Sequence, residues 1–264
     1  MPHRPRKRFS QNFLIDEGVI ADIVAAVAPR PDDNLVEIGP GQGALTQPLA
    51  ERVRRLHVIE IDRDLAAALR KRFDGERVVI HEGDALEFDF TALGPELRVV
   101  GNLPYHISTP ILFRLVECSY RLRDVHVMLQ KEVVDRMVAA PGDSDYGRLS
   151  VMLQYHFDLE KVLDVPAECF DPAPKVESAV VRMQPQRERK RARDEQTLQR
   201  VVTAAFAQRR KTLRNTLSGY LKAQDYEALA IDPGMRAQAL DVPTFVRIAD
   251  YVAARADATP SCAG

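Results

Sequence analysis

Short apolar runs alternate with amphipathic segments between residues 35 and 185. The runs are nearly continuous and rich in β-branched residues, which is typical of strands that are buried on both faces. They are LVEI (35–38), LHVIEI (56–61), RVVIHE (77–82), LRVVGNL (97–103) and VHVMLQ (125–130). The segments between them carry apolar residues at helical spacing. This alternation predicts an α/β fold with a doubly wound, mostly parallel sheet.

The pattern changes towards the end of the chain. Two further strands, at residues 155–165 and 178–184, are expected to pair antiparallel at the sheet edge. After the charged linker 186–193, every remaining segment has helical character, and the first of them, 195–217, predicts one amphipathic helix. The sequence therefore predicts two domains, residues 1–187 with the sheet and 188–264 as a small all-helical domain.

Composition excludes several protein classes. The 264 residues are 45% hydrophobic and 28% charged, which is neither the composition of a disordered chain nor that of a membrane protein. No apolar run approaches a spanning helix, and the N-terminus lacks the apolar core of a secretion signal, so we expect a monomeric cytoplasmic protein without membrane contact. Three cysteines without a C-x-x-C pair and six histidines without ligand spacing indicate neither disulfides nor a metal site.

The charge is unevenly distributed although the net charge is only −1. The N-terminus carries Arg4, Arg6, Lys7 and Arg8 without an acid, and residues 187–214 hold ten basic against three acidic side chains. Such poles can bind phosphate locally, because screening makes nearby charges count more than the total. A solvated surface explains the same pattern equally well.

A glycine-rich loop, Gly39-Pro40-Gly41-Gln42-Gly43, directly follows the first predicted strand of the sheet. Glycine lets the backbone turn sharply and approach a ligand. Glu60 and Asp62 end the next strand, where a carboxylate can accept hydrogen bonds from ribose hydroxyls. Asp84 lies at the same edge, either near an adenine amine or as the cap of a turn. Nucleoside cofactors in general fit this pattern, including the dinucleotide of a dehydrogenase.

The tetrapeptide Asn102-Leu103-Pro104-Tyr105 separates these possibilities. An aromatic amine is a poor nucleophile, and a site that activates it must accept both of its hydrogens. Asn102 offers a side-chain oxygen, and the Leu103 carbonyl, held extended by Pro104, offers a second acceptor. Tyr105 can stack on the base. This combination favours methylation of a nucleobase amine.

The chain resembles the ribosomal RNA adenine dimethyltransferases, specifically those that act on the small-subunit RNA, over nearly its whole length. The matching motifs are Gln11-Asn12-Phe13-Leu14, residues 36–41 (VEIGPG), Glu60-Ile61-Asp62, Gly83-Asp84-Ala85, Asn102-Leu103-Pro104-Tyr105, residues 170–178 (FDPAPKVES) and residues 208–215 (QRRKTLRN). The resemblance implies a Rossmann-like fold of the class I methyltransferase type. It further implies dimethylation of two adjacent adenosines near the 3′ end of 16S RNA within the small ribosomal subunit.

The resemblance also assigns residues. Those expected to contact S-adenosylmethionine are Asn12, Leu14, Gly39, Gly41, Glu60, Ile61, Asp84, Ala85 and Asn102. Those expected to hold the target adenine are Asn102, Leu103, Pro104 and Tyr105, with Phe170 closing over its other face. Flanking such a site, the basic poles become expected RNA contacts: Arg6, Lys7, Arg8, Arg209, Arg210, Lys211 and Arg214.

Three alternatives stay open. A large-subunit RNA methyltransferase of the antibiotic-resistance type shares the glycine loop and an Asn-x-Pro-Tyr motif, although residues 208–215 favour the small-subunit type. A ribosome-assembly or transcription factor could keep the fold and bind nucleic acid without catalysis. A nicotinamide dehydrogenase explains the glycines but neither Asn102 nor Tyr105.

Overall fold

The computed structural model describes residues 12–188 and 190–257. They divide into two units. The first comprises the chain up to Val134 together with Phe157–Pro185, and the second comprises Asp135–His156 together with the described residues after Pro185. The sequence-predicted boundary, after residue 187, lies close to Pro185. Residues 135–156, which we expected in the first domain, instead group with the second unit.

The first unit is built on strands. Within the described residues they are β1 (Phe13–Leu14), β2 (Asn34–Ile38), β3 (Leu56–Glu60), β4 (Val78–Glu82), β5 (Leu97–Asn102), β6 (Leu122–Gln130), β7 (Phe157–Val165), β8 (Phe170–Asp171) and β9 (Ser178–Pro185). Seven of them form the central sheet in the order β4-β3-β2-β5-β6-β9-β7, and β1 pairs with β8 in a separate two-stranded sheet.

The central sheet is mostly parallel. Strands β4, β3, β2, β5 and β6 run parallel, whereas β9 is antiparallel to both β6 and β7 at the edge. From β2 the chain winds outwards through β3 and β4, then returns to β5 on the other side of β2. This reversal leaves a crevice at the carboxyl ends of β2 and β5, where α/β proteins bind their ligands. The predicted doubly wound sheet and its antiparallel edge are confirmed.

Helices flank the sheet and form the second unit. They are α1 (Glu17–Val27), α2 (Thr46–Ala50), α3 (Arg63–Arg72), α4 (Ser108–Glu117), α5 (Lys131–Val138), α6 (Arg148–His156), α7 (Glu195–Phe206), α8 (Leu213–Thr216), α9 (Ala223–Leu229) and α10 (Val242–Asp257). Short 3₁₀ turns occupy Phe90–Leu93, Ser119–Arg121, Ala167–Cys169 and Ala237–Ala239. No helix in the described ranges is both long and apolar enough to cross a membrane.

The second unit explains why residues 135–156 leave the sheet domain. Helix α7 packs against α10, and α6 packs against α7. Buried Val151 and Leu153 of α6 contribute to this helical core, and the Tyr146 hydroxyl, just before α6, donates to the Leu240 carbonyl at 2.9 Å. Residues 155 and 156, which we predicted as the start of a strand, form the end of α6.

The continuous helix predicted over residues 195–217 is wrong. Helix α7 ends at Phe206, and α8 begins only at Leu213. The backbone amide of Leu213 donates to the Met235 carbonyl at 2.8 Å, and that of Arg214 donates to the Pro233 carbonyl at 3.1 Å. In one continuous helix these two amides would bond the carbonyls of residues 209 and 210 instead. Residues 207–211 form bends and turns between the two helices.

Candidate active site

A cavity of about 270 Å³ opens at the carboxyl ends of β2, β3, β4 and β5. Its walls come from the segments that directly follow these strands, together with residues around β1. The crevice of the sheet and the predicted site therefore coincide. Of the residues predicted to bind the cofactor or the target base, those that line the cavity are Asn12, Leu14, Gly39, Gly41, Glu60, Ile61, Asp84, Ala85, Asn102, Leu103, Pro104 and Tyr105.

The glycine-rich loop after β2 forms one wall. Gly39, Gly41 and Gly43 have φ angles of 67°, 58° and 85°, in the left-handed region that favours glycine. A Cβ atom on Gly41 would also lie 3.0 Å from the Phe13 ring. The φ angles explain why these three positions are glycine, and at Gly41 the Phe13 ring leaves no room for a side chain.

Glu60, the last residue of β3, presents a carboxylate to the cavity although it is only 4% exposed. One oxygen accepts a hydrogen bond from the Asp62 amide at 2.8 Å and the other from the Gly41 amide at 3.2 Å. Burial raises its pKa above the usual range of a glutamate. The side chain is therefore fixed to the glycine loop and cannot swing into solvent.

Asp84 follows β4, where it caps a turn and also lines the cavity. Its Oδ1 accepts a hydrogen bond from the Leu86 amide at 2.9 Å, which caps the local turn. The same side chain lines the cavity. The turn thus holds the carboxylate at the cavity wall.

The segment Asn102–Tyr105 leaves β5 on the opposite wall. The Asn102 amide nitrogen donates to the Asn12 carbonyl at 3.2 Å, so the side-chain oxygen is left to accept. The Leu103 amide donates to the Met128 carbonyl at 3.1 Å, which holds the segment on β6. Burial raises the pKa of the Tyr105 phenol, so the hydroxyl stays protonated at neutral pH.

Phe170 departs from its predicted place. It does not line the cavity; it is 3% exposed and shares a hydrophobic cluster with Leu14, Val165 and Val180. Its pairing with Leu14 across β1 and β8 draws the ring into the core. In this conformation the ring is not available to cover a base, so the stacking role of Phe170 stays a prediction.

Glu37 is a residue that the sequence reasoning missed. It lies within β2, is 2% exposed and lines the cavity. Burial raises its pKa to about 8, and the Thr46 hydroxyl donates to its carboxylate at 2.6 Å. An acid inside an otherwise apolar strand, two residues before the glycine loop, was the signal that could have found it.

The predicted RNA contacts fall into two groups. Arg6, Lys7 and Arg8 lie outside the described residues. Arg209, Arg210, Lys211 and Arg214 are all exposed in the second unit. Arg209 donates to the Ser144 carbonyl of the same unit.

Two other cations of residues 187–214 form ion pairs within the second unit. Lys190 lies 3.4 Å from Asp250, and Arg200 lies 3.5 Å from Asp194. Acids of the same unit therefore compensate the charge of these two cations. Within residues 12–188 and 190–257, no group of three or more His, Cys, Asp or Glu side chains could hold a metal ion.

Comparison with known proteins gives consistent results. The family model described as ribosomal RNA adenine dimethylase matches residues 2–254. A ribosomal RNA small subunit methyltransferase A from Thiobacillus denitrificans is 58% identical over 254 residues, 96% of this chain and 100% of that protein. The crystal structure of a dimethyladenosine transferase from Plasmodium falciparum has a TM-score of 0.78 at 25% identity and covers 89% of this chain and 95% of its own. For the 23S rRNA methyltransferase ErmE the TM-score is 0.74 at 27% identity, with coverages of 92% and 100%.

Proposed function

The chain belongs to the ribosomal RNA adenine dimethylase family, and we propose that it methylates the exocyclic amines of two adjacent adenosines near the 3′ end of 16S RNA. The donor is S-adenosylmethionine, and the product is N6-dimethyladenosine in the small ribosomal subunit. One observation carries the proposal: a single cavity brings the glycine loop and Glu60 together with Asn102 and Tyr105. The small-subunit assignment is supported by the 58% identity to the Thiobacillus protein, against 27% to ErmE.

The cavity fits a nucleoside cofactor. Glu60 would accept hydrogen bonds from the ribose hydroxyls, and Asp84 would accept one from the adenine amine. The exposed side chain of Ile61, at 43%, offers an apolar surface at the same wall for the purine. S-adenosylmethionine supplies a methyl group that its sulfonium already activates. The protein therefore needs to align the acceptor and exclude water rather than form a covalent intermediate.

Asn102 and Leu103 would prepare the amine. The Asn102 amide is oriented by the Asn12 carbonyl, which leaves its oxygen to accept one amine hydrogen, and the Leu103 carbonyl accepts the other. Two acceptors draw the nitrogen towards tetrahedral geometry. Its lone pair is then less delocalised into the ring and can attack the methyl carbon. Tyr105 would stack on the base, which recovers about 1–3 kcal/mol of the cost of unstacking it from the RNA. A monomethylated amine keeps one hydrogen, so the same arrangement admits a second transfer.

The second unit would contact RNA. Arg210 and Lys211 are exposed in the turn between α7 and α8, and Arg214 follows within α8. Since Lys190 and Arg200 are matched by nearby acids, these three residues are the better phosphate ligands. The proposed working form is a monomer in the cytoplasm.

The test is methyl transfer to purified ribosomal subunits. Wild-type protein with labelled S-adenosylmethionine should label small subunits that lack the modification, and digestion of the RNA should release dimethyladenosine. The Asn102→Ala variant should be slower by at least tenfold, because the amine loses an acceptor. Labelling of large subunits instead would indicate the antibiotic-resistance type. Binding to small subunits without any labelling would indicate an assembly factor.

A further inference from the structure

The phenol of Tyr105 is tied to a serine from a distant part of the chain. We propose that Ser178 is a positioning residue: its hydroxyl holds the Tyr105 ring in the orientation in which it receives the target base. The inference rests on the proposed function, in which Tyr105 stacks on the adenine. It adds a residue that does not line the cavity itself.

The contact is short and its anchor is rigid. The Tyr105 and Ser178 hydroxyl oxygens lie 2.7 Å apart, and Ser178 is 0% exposed. Ser178 is the first residue of β9, where it pairs with Gln130 of β6 and Val165 of β7. Because β9 is paired on both edges and the side chain of Ser178 is buried, its hydroxyl supplies a fixed point for the phenol.

The other end of Tyr105 is also fixed. Pro104 restricts the backbone before it, and the Ser108 hydroxyl donates to the Tyr105 carbonyl at 2.9 Å. A ring that is held at both its backbone and its hydroxyl cannot turn away from the cavity. Without Ser178, the half-buried ring would regain rotamers that a base must suppress on arrival.

This arrangement predicts which step a substitution would affect. RNA affinity depends mainly on phosphate contacts, and cofactor affinity depends on the wall formed by Glu60 and Asp84. The ring acts only after the base has left its stack. Removing the Ser178 hydroxyl should therefore slow methyl transfer in the bound complex and leave both dissociation constants unchanged.

The experiment is a double-mutant cycle in single-turnover methyl transfer, with enzyme in excess over small subunits that lack the modification. Ser178→Ala and Tyr105→Phe should each slow transfer about fivefold, the effect of one neutral hydrogen bond. The double variant should also be about fivefold slower, because both substitutions remove the same hydrogen bond. Ser150→Ala, which removes another 0% exposed serine whose hydroxyl bonds the Arg136 carbonyl, is the control and should transfer at the wild-type rate.

Several results would overturn the inference. One is a wild-type rate for Ser178→Ala, and another is a product of the two effects, about twenty-five fold, in the double variant. A rise in the S-adenosylmethionine or RNA dissociation constant that accounts for the slower transfer would mean that Ser178 is only structural. If Ser178→Ala does not fold, a wild-type rate for Tyr105→Phe overturns the inference. An inactive wild-type enzyme would instead refute the proposed function, and the role of Ser178 with it.

Discussion

Gly101 of β5 lies against the backbone of the neighbouring strand β2, and its replacement by alanine should reduce both stability and catalysis. A Cβ atom at this position would lie 2.4 Å from the Ile38 carbonyl oxygen of β2, whereas real Cβ atoms essentially never approach within 3.0 Å. Backbone on one side or the other must therefore move by at least 0.6 Å, the difference between these two distances. Overpacking of this kind typically costs about 1–3 kcal/mol of the free energy of unfolding.

The displacement also reaches the site, because Asn102 directly follows Gly101 in β5. A misplacement of about 1 Å can cost about a hundredfold in rate, so we expect Gly101→Ala to slow single-turnover methyl transfer by about ten- to a hundredfold. Thermal melting measures the stability, and calorimetry with S-adenosylmethionine measures cofactor affinity.

Gly75→Ala is the matched control, since a Cβ atom there would meet nothing within 4 Å. It should melt and react like the wild type. Gly101→Ala could instead match this control in thermal melting and in single-turnover methyl transfer. The strands would then accommodate the Cβ atom without moving Asn102, and the steric argument would be refuted.

Three further changes test other parts of the molecule. Glu60→Ala should weaken S-adenosylmethionine binding by about tenfold or more in calorimetry, because hydrogen bonds to a charged group are worth about 1.5–3 kcal/mol; unchanged affinity would contradict the assignment. His126 is buried with its pKa lowered to about 4, so between pH 6.5 and 4 only the unfolded state binds its proton and stability decreases as the pH falls. Urea unfolding of His126→Phe should show a shallower decrease over that range, and an unchanged pH profile would count against this. Replacing Arg210 and Lys211 by Gln should reduce the slope of log RNA affinity against log salt by about 0.7–0.9 for each phosphate that is no longer neutralised, and an identical slope would mean that they bind no phosphate.

Local pattern was enough to predict the sheet and most of the residues that line the candidate cavity. Strands β2 and β5 are nearly continuous apolar runs because both faces of the sheet are buried. Glu60, Asp84 and Asn102 each lie at or just after the end of a parallel strand, and such strands end at one edge of the sheet. Their meeting in one cavity therefore follows from topology alone. The family motifs added which ligand each residue is expected to meet.

Other features depended on contacts between distant segments. Helix α8 is separate from α7 although the apolar spacing would allow one helix, because the amides of Leu213 and Arg214 bond carbonyls about twenty residues away. Phe170 lies in the core because β8 pairs with Leu14 of β1. Residues 135–156 belong with the second unit because α6 packs on α7.

The physical reason is the same in each case. The periodicity of a segment shows which side chains need to be buried, but it does not contain the partner that buries them. Gly101 illustrates the limit: in the sequence it is one glycine in an apolar strand, and only the packing of β5 against the Ile38 carbonyl shows that no side chain fits there. Ser178 likewise acquires its partner, Tyr105, only when β9 pairs with β6. The sequence by itself determined most strands of the sheet and where polar residues follow them, because burial on both faces leaves a local pattern. The tertiary structure decided where the later helices end and which side chains meet.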